Sequence, residues 1–222
     1  MTQNLNWQHL KNTEELATTA AALILKSAEQ AIAARGAFKL VLAGGGTPEN
    51  AYRLLINAET DWSKWHIYYG DERCLAADHK DRNSKMAADV FLQHTAIPES
   101  QIHPMPTELG GVQAATDYKA IVEHALPFDL VLLGMGEDGH TASLFPEHEH
   151  NQDELVHAVY NAPKPPSERV SLSAKALSDS EQVVFLISAN NKQQALKGWQ
   201  QGDNLPVTTI KPKTTIEILL AG

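Results

Sequence analysis

The sequence predicts an α/β protein with a mostly parallel sheet and helices on both of its faces. Two observations indicate this class: short apolar runs alternate with amphipathic helices along the chain, and no repeat or low-complexity tract interrupts them. The length of 222 residues and the hydrophobic content of 43% suit one large domain of this kind. We therefore expect residues 1–222 to form a single α/β domain.

The individual elements follow from apolar spacing and from turn residues. Apolar residues at helical spacing predict a first helix that begins after Asn12, which forms a capping pair with Glu15, and ends at Gly36. Further helices are predicted at 48–57, 83–94, 111–125 and 190–200. Strands are predicted at 38–43, 65–69, 102–105, 128–133, 155–160, 170–172, 182–187 and 215–220.

Composition and charge argue against several classes of partner. Eighteen basic and 27 acidic residues give a formal charge of −9, which disfavours nucleic acid but still permits an anionic small molecule where a few basic groups converge. The longest apolar runs, such as 128–134, are too short to cross a bilayer, and residues 1–12 lack the apolar core of a signal peptide. Cys74 is the only cysteine, so no intrachain disulfide can form. We expect a cytoplasmic protein that binds neither nucleic acid nor membrane, and protein partners stay open.

The first candidate site is the glycine-rich turn Gly44-Gly45-Gly46-Thr47-Pro48, which follows a predicted strand. Parallel sheets bind ligands beyond the carboxyl ends of their strands. The glycines let the backbone approach a ligand, and a helix with Thr47 as N-cap and Pro48 as its first residue would present free N–H groups to a phosphate. The turn lacks the Gly-Lys-Ser/Thr of a Walker loop. A tight turn without a ligand is the alternative.

The second candidate site is the turn Gly70-Asp71-Glu72-Arg73, which also follows a predicted strand. Two acids and an arginine at this point are costly to bury unless they are paired. Asp71 could orient a reacting group, and Arg73 could bind an anion or oxyanion. A surface salt bridge is the alternative.

The third candidate site is the loop after the predicted central strand, which carries His140 within a frame of glycines. A histidine placed there can act as a general base near neutral pH, and Asp138 could orient it or stabilise its charge. Residues 134–139 also match GxGxxG, but Pro146 interrupts the long helix that a dinucleotide motif requires. We interpret that match as accidental.

Other polar residues are less specific. Arg169 at the start of a predicted strand and Lys192 at the start of a predicted helix could each be a solvated surface charge. Residues 147–150, Glu-His-Glu-His, lack the helical His spacing of a zinc site, so we predict a solvated loop and no metal. Ser143 and Ser171 have no Gly-x-Ser-x-Gly context, which disfavours a serine hydrolase.

Together these segments resemble the 6-phosphogluconolactonase family. The resemblance lies in residues 42–48, in residues 71–75 with 82–84, and above all in residues 133–146, which contain the specific run His-Thr-Ala-Ser-Leu-Phe-Pro. Residues 169–173 and Lys192 are weaker matches. The chain departs from the commonest family pattern at Glu147 and Ala189, where glycine is common.

The resemblance implies a Rossmann-like fold similar to that of glucosamine-6-phosphate deaminase. It also implies an enzyme without metal or cofactor that hydrolyses 6-phospho-D-glucono-1,5-lactone to 6-phospho-D-gluconate in the oxidative pentose phosphate pathway. An amino sugar phosphate deaminase or isomerase on the same fold is the alternative. Arg73 and the run Leu144–Pro146 disfavour it, because the deaminases have a tyrosine and an acidic ring-opening residue there. A phosphosugar sensor without turnover is a third hypothesis.

The resemblance also implies roles for the candidate residues. His140 would be the general base that activates water, and Asp71 or Asp138 would hold that base or the sugar hydroxyls. Arg73 would stabilise the oxyanion or the phosphate, and these two roles stay open. The phosphate would be bound by residues whose sequence positions are far apart: Gly44, Gly45, Gly46, Thr47, Arg169 and Lys192.

Overall fold

The computed structural model describes residues 3–151 and 153–222. The strands are β1 (Leu5–Leu10), β2 (Phe38–Leu42), β3 (Trp65–Tyr69), β4 (Asp71–Arg73), β5 (Phe128–Leu133), β6 (Val156–Val159), β7 (Arg169–Leu172), β8 (Ser180–Ser188) and β9 (Ile216–Ala221). The helices are α1 (Thr13–Arg35), α2 (Gly46–Leu55), α3 (Asn83–Val90), α4 (Gly111–Ala125), α5 (Ala174–Ser178) and α6 (Gln193–Gln201).

Six strands form a parallel sheet in the order β1-β9-β8-β5-β2-β3. All six residues of β5 are buried. Because successive side chains of a strand point to opposite faces, this burial means that both faces of the sheet are covered. The predicted class, a mostly parallel sheet covered on both faces, is confirmed.

A second, smaller sheet was not predicted. In it β4, β7 and β6 pair antiparallel. Two of its segments, predicted at 155–160 and 170–172, were expected to belong to the one parallel sheet, and β4 was expected to be a turn. Gly70 joins the two sheets, since its N–H donates to Leu42 O (3.0 Å) and its carbonyl accepts from Leu172 N (2.8 Å). The small sheet therefore begins directly where β3 ends, at the carboxyl edge of the large sheet.

The ends of α1 agree with the sequence, whereas the start of α2 does not. Asn12 Oδ1 accepts from the Glu15 N–H (2.9 Å), and Gly36 ends α1 with a φ of 77°. The prediction that Thr47 caps α2 is wrong, because the helix begins at Gly46 with Gly45 as N-cap. The φ of Gly45 is 103°, which favours glycine, and Pro48 falls within the first turn, where its missing N–H costs no helical hydrogen bond.

Two strand predictions also need correction. Residues 102–105 form no strand, and only a bridge between Ile67 and Ile102 marks the place. Conversely, β1 was missed in a segment that reads as polar, because it is an edge strand with alternating exposure that pairs only with β9. Over residues 3–151 and 153–222, no helix is long and apolar enough to cross a membrane.

Candidate active site

A cavity of about 410 Å³ opens where β2, β3 and β5 end. Nine of the ten residues singled out in the sequence line it: Gly44, Gly45, Gly46, Thr47, Asp71, Arg73, His140, Arg169 and Lys192. The tenth, Asp138, does not line the cavity but contacts the ring of His140. The fold therefore brings together candidates from five separate stretches of the chain.

His140 and Asp138 form a hydrogen-bonded pair within one turn. The Asp138 Oδ1 atom lies 2.5 Å from His140 Nδ1 and also accepts the His140 backbone N–H (3.1 Å). Burial raises the pKa of Asp138, but these N–H groups and the charge of His140 lower it by more, so that it lies below its usual value. An ionised carboxylate only accepts hydrogen bonds, so Nδ1 carries the proton and Nε2 is the ring nitrogen that can take one.

The turn around His140 leaves no room for an extra side chain. A Cβ at Gly136 would overlap the imidazole of His140 and crowd the carboxylate of Asp138. The Gly136 N–H donates to His140 O (2.8 Å), and the Phe145 ring lies 4.7 Å from the imidazole, centroid to centroid. Only a residue without a side chain fits at position 136. The close packing there holds the imidazole of His140 against Asp138.

One face of the small sheet presents Asp71, Arg73 and Arg169 to the cavity. Asp71 lies opposite Ser171, and Arg73 lies opposite Arg169, in the antiparallel pairing of β4 with β7. Directly opposed residues, and those two positions along, share a face. Glu72, between Asp71 and Arg73, points to the other face. The alternation explains why both arginines and Asp71 reach one site although Arg169 is distant in sequence.

The carboxylate of Asp71 is held by groups other than His140. Its Oδ2 accepts from Ser143 Oγ (2.6 Å), its Oδ1 accepts from Asn83 Nδ2 (3.0 Å), and Arg169 Nη1 lies 4.0 Å from Oδ2. Between the two aspartates that the sequence offered as partners for the histidine, the structure therefore brings Asp138 and not Asp71 against the ring. Asp71 is instead a fixed negative charge on the cavity wall.

The carboxylate of Glu72 has the hydrogen-bond partners that a buried acid needs. Glu72 is fully buried, and its carboxylate accepts from the backbone N–H groups of Arg73, Asn83 and Ser84, each at 2.8 Å. Two of these donors are the first residues of α3, so Glu72 supplies an anion at that helix N-terminus. This contact places Asn83 beside Asp71.

The glycine turn is shaped by the same asparagine. A Cβ at Gly44 would overlap the side-chain oxygen of Asn83, so the backbone of the turn packs directly against that amide. Asn83 lay within the family-like segment of the sequence, but nothing local to it indicated this role. The first turn of α2 also lies on the cavity wall, and its N–H groups at Gly46 and Thr47 have no partner among the described residues.

Positive charge is concentrated at the cavity although the whole chain is acidic. Arg73, Lys164, Arg169 and Lys192 all line it. Burial lowers the pKa of Lys192, an effect that Glu137 opposes and Lys164 reinforces. The Arg169 guanidinium donates to Lys164 O (2.9 Å) and Pro166 O (3.2 Å), and the Nε of Arg73 finds no partner among the described residues. An anionic ligand would meet converging donors here.

Comparison with known proteins decides the family. The sequence profile described as "Glucosamine-6-phosphate isomerases/6-phosphogluconolactonase" matches residues 11–219. The chain belongs to this family. A 6-phosphogluconolactonase of Synechocystis sp. is 36% identical over 201 residues, which cover 84% of this chain and 81% of that protein. The resemblance inferred from the sequence is therefore confirmed at the level of the family.

Solved structures agree with this assignment. A crystal structure of a 6-phosphogluconolactonase from Thermotoga maritima superposes with a TM-score of 0.91 at 28% identity, covering 97% of this chain and 99% of that one. A monomeric glucosamine-6-phosphate deaminase superposes with a TM-score of 0.84 at 21% identity, covering 98% and 97% of the two chains. The second likeness confirms the fold shared with the deaminases.

Residues 147–150 form a loop, as predicted, in which Glu147 and Glu149 are exposed and the two histidines are partly buried. Glu147, where family members often have glycine, has a φ of 62°, in the left-handed region that glycine favours. His150 is partly buried, its Nε2 accepts the Phe145 N–H (3.1 Å), and its Nδ1 lies 3.0 Å from His157 Nε2. Among the residues described, no group of three or more His, Cys, Asp or Glu is placed to hold a metal ion.

His157 should make the stability of the protein sensitive to acid. Burial, assisted by His150, lowers its pKa from 6.5 to about 4. The unfolded chain then binds the proton more readily, so stability is complete above pH 6.5 and falls as the pH drops from 6.5 to about 4. We expect His157→Gln to remove up to about 3 kcal/mol of that fall.

Urea unfolding at a series of pH values between 7 and 4 measures this effect. The matched control is His9→Gln, which changes an exposed histidine of β1. If the pH dependence of His157→Gln equals those of the wild type and the control, the buried His157 is not its source.

Proposed function

We propose that this protein hydrolyses 6-phospho-D-glucono-1,5-lactone to 6-phospho-D-gluconate, a step of the oxidative pentose phosphate pathway. The observation that carries the proposal is one cavity that combines a carboxylate-supported imidazole with four cationic side chains. The names of the relatives in Synechocystis sp. and Thermotoga maritima support it. The first element suits proton transfer from water, and the second suits a phosphorylated substrate.

In the proposed mechanism, His140 Nε2 removes a proton from a water molecule as the water oxygen attacks the C1 carbonyl. The resulting tetrahedral oxyanion collapses, the bond from C1 to the ring oxygen breaks, and the His140 imidazolium returns its proton to that oxygen. Asp138 keeps Nδ1 protonated and stabilises the imidazolium. The guanidinium of Arg73, which lines the cavity, is proposed to donate to an anionic oxygen of the substrate.

The phosphate is proposed to bind between the glycine turn and the basic residues. The N–H groups at Gly46 and Thr47 and the helix dipole of α2 favour an anion. Lys192, which is far from that turn in sequence, lines the same cavity and lies at the N-cap position of α6. Arg169 holds the loop that carries Lys164, so its contribution to binding is partly indirect.

Loss of Lys192 should weaken substrate binding more than it slows the chemical step. We expect Lys192→Ala to raise KM by about 10- to 100-fold with kcat within a few-fold of the wild type, since a charge-assisted hydrogen bond contributes about 1.5–3 kcal/mol. The control is Lys197→Ala, an exposed lysine of the same helix that does not line the cavity. Equal KM values for the two variants would remove Lys192 from the phosphate site.

Parallel assays on two substrates test the proposed reaction class. The lactone should be hydrolysed faster than in a protein-free blank, whereas glucosamine 6-phosphate should release no ammonia. We also propose that the reaction needs no metal and takes place in the cytoplasm, so the lactone assay should be unaffected by EDTA. Ammonia release without lactone hydrolysis would replace the proposal with the deaminase alternative.

A further inference from the structure

The loop that carries His140 is fixed again immediately after it. Thr141 Oγ1 donates to Gly134 O (2.8 Å), which closes the loop against the end of β5. Ala142 then has a φ of 48°, a conformation that L residues other than glycine, asparagine and aspartate rarely adopt. Because this conformation is unfavourable for alanine, the contacts of the neighbouring residues must hold the backbone in it.

Ser143 is the neighbour that ties the loop to the small sheet. Its Oγ donates to Asp71 Oδ2 (2.6 Å), and its N–H donates to Ser171 Oγ (3.2 Å). Asp71 and Ser171 are directly opposed residues of β4 and β7, so one cross-strand pair binds both the hydroxyl and the N–H of Ser143. Asn83 holds the remaining oxygen of Asp71, which leaves that carboxylate fixed from two sides.

The side chain of Ser143 cannot act on a substrate directly. Its exposure is 0%, and it does not line the cavity, whereas Asp71 does. A change at Ser143 can therefore reach the chemistry only through the segment that carries His140 or through the placement of Asp71. The hydrogen bond of 2.6 Å from Ser143 Oγ to the carboxylate of Asp71 is charge-assisted and therefore among the stronger kinds. It can hold the loop at a fixed place relative to the small sheet.

We propose that Ser143 is a positioning residue, which sets the place of His140 by joining its loop to Asp71 and Ser171 of the small sheet. The inference rests on the proposed function, because it assumes that His140 performs the chemical step. It assigns the small sheet a task beyond lining the cavity, namely to hold the loop after β5 at a fixed distance from the phosphate-binding groups.

The test compares Ser143→Ala with Ser180→Ala in the lactone assay. Ser180 is also buried, and its hydroxyl donates to Leu177 O (3.2 Å), but it lies at the start of β8, away from the cavity. Ser143→Ala should lower kcat by about 10- to 100-fold, because small displacements of a reacting group cost rates of that order. KM, and the affinity for 6-phosphogluconate measured by calorimetry, should stay within about twofold.

The kinetic and binding results separate a positioning role of Ser143 from general damage to the cavity. Equal kcat values for Ser143→Ala and Ser180→Ala would overturn the inference, and so would a loss of product affinity as large as the loss of kcat, which indicates general damage to the cavity. If Ser143→Ala does not fold, Ser143→Cys, with a similar volume and a weaker donor, should show the same selective loss of kcat to a smaller degree. A wild type without lactonase activity would instead overturn the proposed function.

Discussion

Replacing His140 with alanine should lower kcat for lactone hydrolysis by about 10²–10⁴-fold, the range typical of a lost general base. The residue supplies the ring nitrogen that is free to take a proton, because Asp138 occupies Nδ1. KM should change little, since the cationic side chains and the glycine turn remain. Initial rates over a range of substrate concentrations, with the spontaneous rate subtracted, give both constants.

The affinity of His140→Ala for 6-phosphogluconate is the control for this variant. Retained product binding with a lost kcat would place the effect on the chemical step. A folded His140→Ala protein that hydrolyses the lactone at the rate of the wild type would show that another group activates water.

The second large effect is expected from a methyl group placed beside the catalytic histidine. Gly136→Ala should lower kcat by about 100-fold, because its Cβ would overlap the imidazole of His140 and so displace the reacting nitrogen. Backbone strain is not the reason, since the φ of Gly136 lies outside the left-handed region. Steady-state kinetics and the melting temperature should be measured together.

Gly134→Ala provides a matched comparison in the same loop. A Cβ at Gly134 would meet no heavy atom within 4 Å, so the same methyl group should cost much less activity. If Gly136→Ala keeps the kcat of Gly134→Ala, the position of the imidazole is not set by the space at Gly136.

Most strands of the large sheet could be predicted because the residues that determine each of them are adjacent in the sequence. Each buried strand is a short apolar run, and α1 is marked by its cap at Asn12 and its stop at Gly36. The strand β1 was missed because its alternating exposure is typical of a polar edge, and its pairing partner β9 lies at the far end of the chain. Sequence periodicity does not contain such a long-range pairing.

The small sheet could not be predicted for a related reason. The strand β4 has only three residues, and its antiparallel partner β7 follows almost a hundred residues later, beyond the loop that carries His140. Without that pairing, Arg169 reads as an isolated charge. The pairing opposite Arg73 is what brings it to the cavity.

Most candidate residues of the site could be found because they follow strand ends, where parallel sheets bind ligands. The residues that hold these candidates in place could not be found in this way. Ser143 and Asp71 are 72 positions apart. Asn83 contacts Asp71 from the start of α3, whose first N–H groups donate to the buried carboxylate of Glu72. A buried serine with no motif around it gives no local signal of such a contact.

In the proposed function, the cavity hydrolyses a phosphosugar lactone and His140 activates the water. The most direct measurement follows acid release from freshly generated 6-phosphogluconolactone at constant pH, in EDTA, for the wild type, His140→Ala and a protein-free blank. We expect the wild type to accelerate the reaction far above the blank and His140→Ala to lose most of this acceleration. A wild-type rate equal to that of the blank would show that the cavity does not catalyse this hydrolysis.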